Sequence, residues 1–348
     1  MAAKPAPRIA LATTVKNEAA LLRSNILYHR YLGVDRFFVY ADDPADGTLE
    51  TVADLPFVCA RPSVPIEQFD EHPAFALEVA HYENLPSRQV LNAFDAMARA
   101  REAGADWLVH LDPDELICLD VRETRPDQLR ARLSTLDPAV EAAWFPPLEV
   151  VQTGAEASNI FEEAVVFKRP LRTITRRVPD PITGAMVTVP SYYGHTEGKS
   201  AVRLTANAKP VGPHRFRRMN ETPLRTSRQG YVLHYYAYSF EDFHKKFSNM
   251  RTELEVFPRG GTMPVQKRLW KRMVNEAQMS REALEGYYRR WVVLSPEDVA
   301  RWRRWGKVFG LVPLRRSALV EVRSVQRAWP AVGQTRKSEP EEILAGGK

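Results

Sequence analysis

Cysteine is scarce in this chain, and its scarcity excludes one class of protein. Cys59 and Cys118 are the only cysteines among 348 residues, and apolar residues flank both of them. Small secreted domains that depend on disulfides for stability have a far higher cysteine content. The two thiols therefore fit a reduced hydrophobic core better than a disulfide framework.

Long hydrophobic runs are also missing. A helix that spans a bilayer needs about 20 consecutive apolar residues, and no segment of the sequence approaches that length. The N-terminus lacks the apolar segment of about 7 to 15 residues, followed by small residues, that marks a secretory signal peptide. We therefore expect a cytoplasmic protein, or one that is peripheral on the inner face of a membrane.

The chain does contain enough apolar residues for a large core, together with an excess of positive charge. Hydrophobic residues make up 44% and aromatic residues 10% of the chain, which favours one catalytic α/β domain with a helical extension at this length. The net charge is +6, and such a surface attracts nucleotides, nucleic acid or anionic lipid headgroups without choosing among them. The cationic excess lies late in the sequence, at Lys267, Arg268, Lys271, Arg272, Arg289, Arg290, Arg301, Arg303 and Arg304.

Apolar runs alternate with helical patterns in the first part of the chain. Residues 8–15 and 36–40 predict strands, and the segment between them predicts a helix that begins at Asn17 as N-cap and ends at Gly33. A short helix over 48–53, a third strand over 57–60 and a longer helix over 87–103 follow. This order of elements predicts a parallel nucleotide-binding sheet. Residues 165–233 favour antiparallel strands, and the pattern after Phe240 is helical.

The most informative segment is an apolar run that ends in three acids around a proline. Residues 107–111 predict a buried strand, and Asp112, Asp114 and Glu115 follow it. Open α/β sheets bind ligands at the carboxyl ends of their strands. Two adjacent carboxylates offer hard oxygen ligands to Mg²⁺ or Mn²⁺, which take their other ligands from water and substrate phosphates. The alternative is a turn that simply favours Asp and Pro.

Polar residues at the other strand ends are candidates for binding a nucleotide. A carboxylate in such a position accepts hydrogen bonds from a ribose or a base edge, and an arginine binds phosphate with two hydrogen bonds. Taken singly, a residue after either strand more often has an ordinary turn or cap role, and the arginine is equally open to being a solvated charge. The candidates are Thr13, Lys16, Asn17 and Glu18 after the first strand, Asp42, Asp43 and Asp46 after the second, and Arg88 and Gln89 at the start of the longer helix.

Later in the chain, Gly198-Lys199-Ser200 invites comparison with a phosphate-binding loop. The first glycine of that motif would fall at position 193, which is Tyr193, so we exclude the motif. Lys199 and Arg203 stay candidates for contacting a diphosphate as point charges. His234, or alternatively His214, is a candidate to complete a metal shell, although a single histidine is more often a hydrogen-bonded structural residue.

The ordered combination of these motifs resembles GT-A glycosyltransferases, in particular family 2-like and family 92-like members. The resemblance covers about residues 8 to 250 and is far more specific than any single motif. The segments that match the pattern of these enzymes are Asn17-Glu18, 42–48, 107–115, 198–200, His234-Tyr235, and Ser239 with Glu241 or Asp242, Phe243 and Lys246.

The resemblance implies a fold, a donor and a metal. It implies an α/β fold with a GT-A, Rossmann-like mixed sheet and a C-terminal helical extension, in which Asp112 and Asp114 hold Mn²⁺ or Mg²⁺ on the donor diphosphate and a C-terminal histidine joins them. It also implies a nucleotide-sugar donor, a glycan, lipid-linked or other hydroxyl acceptor, and a role in polysaccharide assembly. No unique general base aligns, and four glutamates stay open for that role: Glu156, Glu162, Glu163 and Glu197.

The sequence thus predicts a metal-dependent, inverting glycosyltransferase of the hexosyltransferase type. We expect a catalytic domain over 1–250, a helical extension over 251–313 and a disordered tail over 330–348, with no specific nucleic-acid partner. One alternative is a magnesium-dependent nucleotidyltransferase, which also uses paired aspartates. Another is a non-catalytic protein that binds nucleic acid or an anionic membrane through basic helices carrying Trp291, Trp302 and Trp305, although helix packing is the more common role of such tryptophans.

Overall fold

The computed structural model describes residues 5–170, 175–251, 255–256, 262–308 and 319–334. Three short 3₁₀ turns lie at Glu50–Val52, Ile66–Gln68 and Pro73–Phe75. The helices are α1 (Ala19–Tyr31), α2 (Ala76–Ala80), α3 (Leu85–Glu102), α4 (Gln128–Ser134), α5 (Ile160–Glu163), α6 (Phe240–Asn249), α7 (Val265–Asn275), α8 (Arg281–Trp291), α9 (Pro296–Val308) and α10 (Ser324–Gln334). The strands are β1 (Ile9–Val15), β2 (Arg36–Ala41), β3 (Val58–Pro62), β4 (Trp107–His110), β5 (Glu115–Cys118), β6 (Ala142–Phe145), β7 (Pro147–Val150), β8 (Val166–Lys168), β9 (Thr175–Pro179), β10 (Met186–Pro190), β11 (Lys199–Arg203), β12 (Ala208–Val211), β13 (Arg215–Arg218), β14 (Thr226–Arg228), β15 (Tyr231–His234) and β16 (Leu319–Glu321).

A seven-stranded mixed sheet with the order β14-β6-β11-β4-β1-β2-β3 forms the centre of the molecule. Strands β3, β2, β1 and β4 are mutually parallel. Strand β11 runs antiparallel between β4 and β6. The predicted α/β class with a mixed sheet is therefore confirmed, and the carboxyl ends of β1, β2 and β4 share one edge.

Strand β1 is buried along its whole length because the sheet has a hydrophobic core on each face. Ile9 and Leu11 pack with Leu22 of α1 on one face. Ala10 and Ala12 pack with the core around α3 on the other face. The continuous apolar run is thus the expected pattern of a strand that is covered on both sides.

The start of α1 differs from the prediction. Asn17 is not the N-cap: it has a left-handed φ of 57°, and the helix begins at Ala19 after Glu18. The free amides of Glu18 and Ala19 instead donate to the Thr48 hydroxyl and the Asp46 carboxylate, both in the loop after β2. Capping from another loop satisfies the same unpaired amides, and a local pattern does not reveal it.

A five-stranded sheet with the order β16-β8-β7-β15-β5 shares the core beneath α1. Most of its pairs are antiparallel, as predicted for the middle of the chain, but β15 pairs with β7 in parallel. Strands β9 and β10 form one hairpin, and β12 and β13 form another. The predicted short helix over 48–53 is a 3₁₀ turn.

The C-terminal helices form an aromatic core of their own. Phe243 of α6, Trp270 of α7 and Tyr288 of α8 pack against one another. Further on, β16 pairs with β8, and α10 packs on α1 and α5. Residues 330–334 of the predicted disordered tail therefore lie in a helix, whereas 335–348 lie outside the described residues. In the described ranges, no helix is long and apolar enough to span a bilayer.

Candidate functional site

The acidic turn lies where β4 ends, at the edge of the sheet that the sequence predicts. Strand β4 stops at His110, and β5 begins at Glu115. Asn25 of α1 is buried beneath the turn, and its amide donates to the carbonyl oxygens of Pro113 at 3.0 Å and of Glu115 at 2.7 Å. A buried side chain therefore holds the backbone that carries the acids.

Asp112 is held by residues from two other elements. Its carboxylate accepts hydrogen bonds from Gln89 of α3 at 2.7 Å and from Lys199 of β11 at 2.8 Å. The Lys199 ammonium also lies 3.2 Å from a Glu115 oxygen, and the side chains of both residues are fully buried. Burial lowers the pKa of Lys199, but the charges of Asp112 and Glu115 raise it above its ordinary value overall. Lys199 is thus a charged counter-ion inside the turn.

Asp114 points toward different partners. Its carboxylate accepts a hydrogen bond from Lys246 of α6 at 2.8 Å, and the Nε2 atom of His234 lies 3.5 Å away. Burial raises the pKa of Asp114, but Lys246 and His234 outweigh burial and hold it well below its ordinary value. Asp114 is therefore ionised, and it connects the end of β4 to the first C-terminal helix.

The rings of three histidines lie close together beside the acids. The ring centroid of His195 lies 4.1 Å from that of His214 and 4.9 Å from that of His234. His195 also hydrogen-bonds through Nε2 to Glu115 at 2.7 Å. Burial lowers the pKa of His195 and His214 well below the ordinary value, so their rings are neutral near pH 7.

Part of this cluster has the geometry of a metal site. Glu115, His195 and His234 each offer one ligand atom, and these atoms lie within 4.8 Å of one another. The Nδ1 atoms of His214 and His234 are buried without a hydrogen-bond partner among the described residues. Neutral imidazole nitrogens and a carboxylate oxygen are ordinary ligands of divalent transition metals. These residues therefore fit a divalent ion.

Gly194 permits the close packing behind His234. A Cβ atom at this position would lie 2.6 Å from both a Glu149 oxygen and the His234 Nδ1 atom. The backbone amides of Tyr193 and Gly194 donate to Glu149. Glu149 is fully buried and pairs with Lys168 at 2.8 Å. Only glycine leaves room for His234 beside this buried ion pair.

The predicted nucleotide-binding residues after β1 lie at the same edge and contact α6. Asn17 donates to Asn249 at 3.0 Å and accepts from the Ala45 amide at 2.8 Å. Lys245 of α6 donates to Glu18 at 2.8 Å. Burial raises the pKa of Glu18 to about 7, although Lys245 opposes the shift. These contacts bring Asn17 and Glu18 to the side of the acidic turn that faces α6.

Strand β1 also places two further candidates near this edge. The hydroxyl of Thr13 is buried and has no hydrogen-bond partner in the part of the chain that the structure describes. The Lys16 ammonium lies 3.8 Å from Asp42 at the end of β2. The side chains after β1 therefore reach those after β2.

The three candidates after β2 have different surroundings. Asp42 is buried and pairs with Arg88 of α3, with an Nε to Oδ1 distance of 2.6 Å. Asp46 accepts hydrogen bonds from the amides of Ala19 and Thr48, which is the turn chemistry that the alternative interpretation predicts. Asp43 is exposed and has a left-handed φ of 49°. Asp42 is therefore the member of this group that lies beside Lys16 and Arg88.

The remaining candidates contact residues other than the three acids of the turn. Arg203 lies over the Trp107 ring at 4.4 Å, at the start of β4 and thus at the opposite end of that strand. Glu156 pairs with Arg289 at 3.0 Å and Glu197 with Arg215 at 3.4 Å, and both side chains are exposed. Glu162 and Glu163 bond to residues at the start of α5.

Several members of the cluster are not among the predicted site residues. Glu115 lies inside the acidic motif but is not predicted there as a ligand, and His195 lies three residues before Gly198-Lys199-Ser200 and is not predicted as a ligand. Lys246 is part of the resemblance pattern without an assigned role. Lys267 appears in the sequence analysis only as part of the cationic excess, and Lys245 has no sequence signal, because basic residues on amphipathic helices are ordinarily solvated.

The order of the central sheet and the acidic turn after β4 together define the fold class as a Rossmann-like mixed α/β sheet, which is the fold that the resemblance to GT-A glycosyltransferases implies. Two proteins of Arabidopsis thaliana, each named glycosyltransferase-like, are 27% and 26% identical to this chain over 251 and 255 residues, which is 68% of the chain in both comparisons. The alignments cover 55% and 48% of those proteins, so the chain spans about half the length of the curated relatives it matches. No protein-family model matches the sequence.

Two solved structures share distant similarity with this chain. Glucosyl-3-phosphoglycerate synthase from Mycobacterium tuberculosis, in complex with phosphoglyceric acid, is 15% identical and has a TM-score of 0.31, with 66% of this chain and 72% of that chain covered. A CMP:2-keto-3-deoxy-manno-octonic acid synthetase is 14% identical with a TM-score of 0.30, covering 71% of this chain and 100% of that chain. Similarities at these scores support no conclusion about ligands, and the fold class follows from the strand order itself.

Proposed function

We propose that this chain is a glycosyltransferase of the hexosyltransferase type, which moves a sugar from a nucleoside diphosphate donor to a glycan, lipid-linked or other hydroxyl acceptor. One observation carries the proposal. Acidic residues Asp112, Asp114 and Glu115 converge with His195 and His234 at the carboxyl edge of a GT-A sheet. The two plant relatives named glycosyltransferase-like support the same class of enzyme.

The donor nucleotide would occupy the edge between β1, β2 and α3. Thr13 has a buried hydroxyl without a partner, and Asn17 and Glu18 face α6. The ion pair of Asp42 with Arg88 sets a carboxylate beside a guanidinium, groups that bind ribose hydroxyls and phosphate respectively. Asp46 supports this edge indirectly, because its carboxylate holds the start of α1.

A divalent ion would be held by His234 with Glu115 and His195, next to the Asp112 and Asp114 pair that the sequence predicts as ligands. Imidazole ligands favour Mn²⁺ over Mg²⁺, which prefers an all-oxygen shell. When bound, the ion supplies a Lewis acid that offsets the negative charge of the departing diphosphate. Lys199 and Lys246, each 2.8 Å from an aspartate, place further positive charge at the same position.

Inversion would follow from direct displacement, in which a carboxylate removes the proton of the acceptor hydroxyl. The rings of His195 and His214 hold no positive charge near pH 7, so these two residues do not repel a metal ion. Gln89 and Lys199 fix Asp112 in one orientation through two hydrogen bonds. Orientation of this kind lowers the reorganisation needed in the transition state.

The first test is metal-dependent turnover of nucleotide sugars. Asp112→Asn and Asp114→Asn should each lower the release of nucleoside diphosphate by at least about a hundredfold, because each removes a charge that faces the reacting diphosphate or its cation. The surface variant Asp127→Asn is the matched control, since its exposed carboxylate pairs with Arg130 at 3.0 Å and belongs to none of the predicted site residues. Turnover by both aspartate variants at the control rate contradicts the proposal.

The same preparation separates the alternatives. A nucleotidyltransferase would release pyrophosphate from a nucleoside triphosphate, whereas a glycosyltransferase releases a nucleoside diphosphate from a nucleotide sugar. A non-catalytic nucleic-acid binder would show steeply salt-dependent binding of RNA or DNA and no metal requirement. A panel of nucleotide sugars and nucleoside triphosphates, each measured with Mn²⁺, with Mg²⁺ and with a chelator, therefore discriminates among the three.

A further inference from the structure

Lys267 of α7 is a cation at the edge of the candidate site. Its side chain is partly buried, and its Nζ atom lies 5.2 Å from the ring centroid of Tyr236. The Nζ atom of Lys246 lies 4.3 Å from the same ring. Two ammonium groups from two different helices therefore contact the same aromatic ring. Lys246 also forms an ion pair with Asp114.

Lys267 differs from the other lysines of this region in its partners. Lys168 pairs with Glu149, Lys199 with Asp112 and Glu115, and Lys246 with Asp114. Among the described residues, no carboxylate lies within ion-pair distance of the Lys267 ammonium. A partly buried cation without a counter-ion is unfavourable, and a bound anion removes that cost.

The surroundings of Lys267 connect it to the acidic turn. Tyr236 packs edge-on against His234, with 5.3 Å between ring centroids. The hydroxyl of Tyr236 is buried and unpartnered among the residues that the structure describes. Burial, followed by the charge of Lys246, lowers the pKa of Lys267 to about 8. The charge of Lys267 in turn contributes to the low pKa of His195.

We propose that Lys267 and Lys246, whose ammonium groups both lie near the Tyr236 ring, form an anion subsite that binds a phosphoryl group beside the acidic turn. Two adjacent ammonium groups favour a multiply charged anion, and lysine is a common point-charge ligand of phosphate. The C-terminal helix α7 thereby completes a site whose acids come from β4 and β5. The assignment of this phosphoryl group to a substrate rests on the proposed function.

Phosphate of this kind has two sources in such a reaction, the diphosphate of the donor and a phosphate on the acceptor. The experiment begins with binding, measured by calorimetry in the presence of a chelator, so that no metal takes part. Lys267→Met should weaken binding of inorganic pyrophosphate by about tenfold or more, because it removes a charged ligand, and should leave binding of an uncharged nucleoside unchanged. Lys267→Arg should restore most of the affinity, since it keeps the charge.

Arg272→Met is the matched control on the same helix, because Arg272 pairs with Glu276 at 3.8 Å. A nucleoside diphosphate and a hexose phosphate then identify the source. Weaker binding of the nucleoside diphosphate by Lys267→Met assigns the subsite to the donor, and weaker binding of the hexose phosphate alone assigns it to the acceptor. Wild-type affinity of Lys267→Met for pyrophosphate, nucleoside diphosphate and hexose phosphate overturns the subsite.

This experiment is independent of the test of the proposed function. If Lys267→Met loses anion binding but the wild type turns over no nucleotide sugar, the subsite stands and the proposed function fails. If the wild type turns over nucleotide sugars and Lys267→Met binds all three anions normally, the proposed function stands and the subsite fails.

Discussion

Two lysines stabilise the three carboxylates of the acidic turn by forming ion pairs with them. Asp112, Asp114 and Glu115 lie within four residues of the chain, and their carboxylates would repel one another if nothing compensated their charge. Lys199 compensates Asp112 and Glu115 from β11, and Lys246 compensates Asp114 from α6. Each lysine is charged because its acidic partners outweigh the effect of burial on its pKa. The turn is therefore an ionic cluster of three acids and two lysines rather than an isolated pair of metal ligands.

A buried histidine makes the stability of the fold depend on pH. His29 of α1 is fully buried and bonds to the carbonyl oxygen of Asn25 at 2.9 Å, and burial lowers its pKa from 6.5 to about 4. Between these pH values the unfolded chain binds a proton at His29 and the folded chain does not. The free energy of unfolding should therefore fall as the pH falls, by about 1.4 kcal/mol per pH unit from this residue.

Denaturant unfolding of the wild type and of His29→Gln at several pH values between about 6.5 and 4.5 checks this expectation. The variant should be less stable at neutral pH, because it loses the bonds of the ring, and its unfolding free energy should change less steeply with pH. Parallel pH dependences for the two proteins would show that His29 is not the group responsible.

At the scale of elements, helix α6 brings the C-terminal part of the chain to the site. Lys245 reaches Glu18, Lys246 reaches Asp114, and Asn249 reaches Asn17. Lys245 and Asn249 are four residues apart and therefore lie on the same face of the helix. Lys246 is the next residue after Lys245 and lies on the same side. The opposite side carries Phe243 and Phe247, which pack on Trp270 of α7. Packing of α6 on α7 thus sets the position of its lysines.

The N-cap of α6 should matter for activity as well as for stability. The Ser239 hydroxyl accepts the amide of Asp242 at 3.1 Å, and Ser280 caps α8 in the same way through the amide of Ala283 at 3.1 Å. Ser239→Ala and Ser280→Ala should each reduce the free energy of unfolding by about 1 kcal/mol. Only Ser239→Ala should also weaken nucleoside diphosphate binding, because α6 and not α8 carries the lysines.

Chemical denaturation and ligand calorimetry on the two serine variants provide the measurement. The Ser280 variant serves as the control for a general loss of stability. If both variants weakened nucleotide binding equally, the Ser239 cap would have no specific role in positioning the lysines of α6.

At the scale of the whole molecule, the chain returns to its first helix after passing through the C-terminal helices. Strand β16 pairs with β8, and α10 packs on α1 and α5. Val322, Val325 and Val332 belong to the same core as β1 and α1, and each is at most 2% exposed. The C-terminal segment is therefore a structural part of the sheet region rather than an appendage.

Removal of this segment should destabilise the entire fold. A chain that ends at residue 318 loses β16 and α10, and the three buried valines alone correspond to about 5 kcal/mol or more of lost stabilisation. We expect it to unfold at a much lower denaturant concentration than the full chain, as followed by circular dichroism. A chain that ends at Gln334 keeps all the described elements and is the control. Equal unfolding midpoints of the 318 variant and the full chain would contradict this role.

Local patterns were sufficient for the early elements and for the acidic turn. The apolar run before Asp112 predicts a buried strand, Gly33 predicts the end of α1, and the pattern after Phe240 predicts a helix, and the structure has each of these. Such features depend on periodicity and on capping chemistry among neighbouring residues, so a single sequence contains them. The cap of α1 was mispredicted at Asn17, because Asp46 and Thr48 supply it from another loop.

The sequence by itself determined the α/β class, the succession of strands and helices along the first part of the chain, and the position of the three acids at a strand end. Only the tertiary structure decided which side chains face those acids. Lys246 lies 132 residues from Asp114 in sequence, and His195 lies 80 residues from Glu115, so no local pattern relates them. Such pairs form because the packing of strands and helices places distant segments at one edge, and packing depends on the shape and burial of the whole chain rather than on the spacing of neighbouring residues.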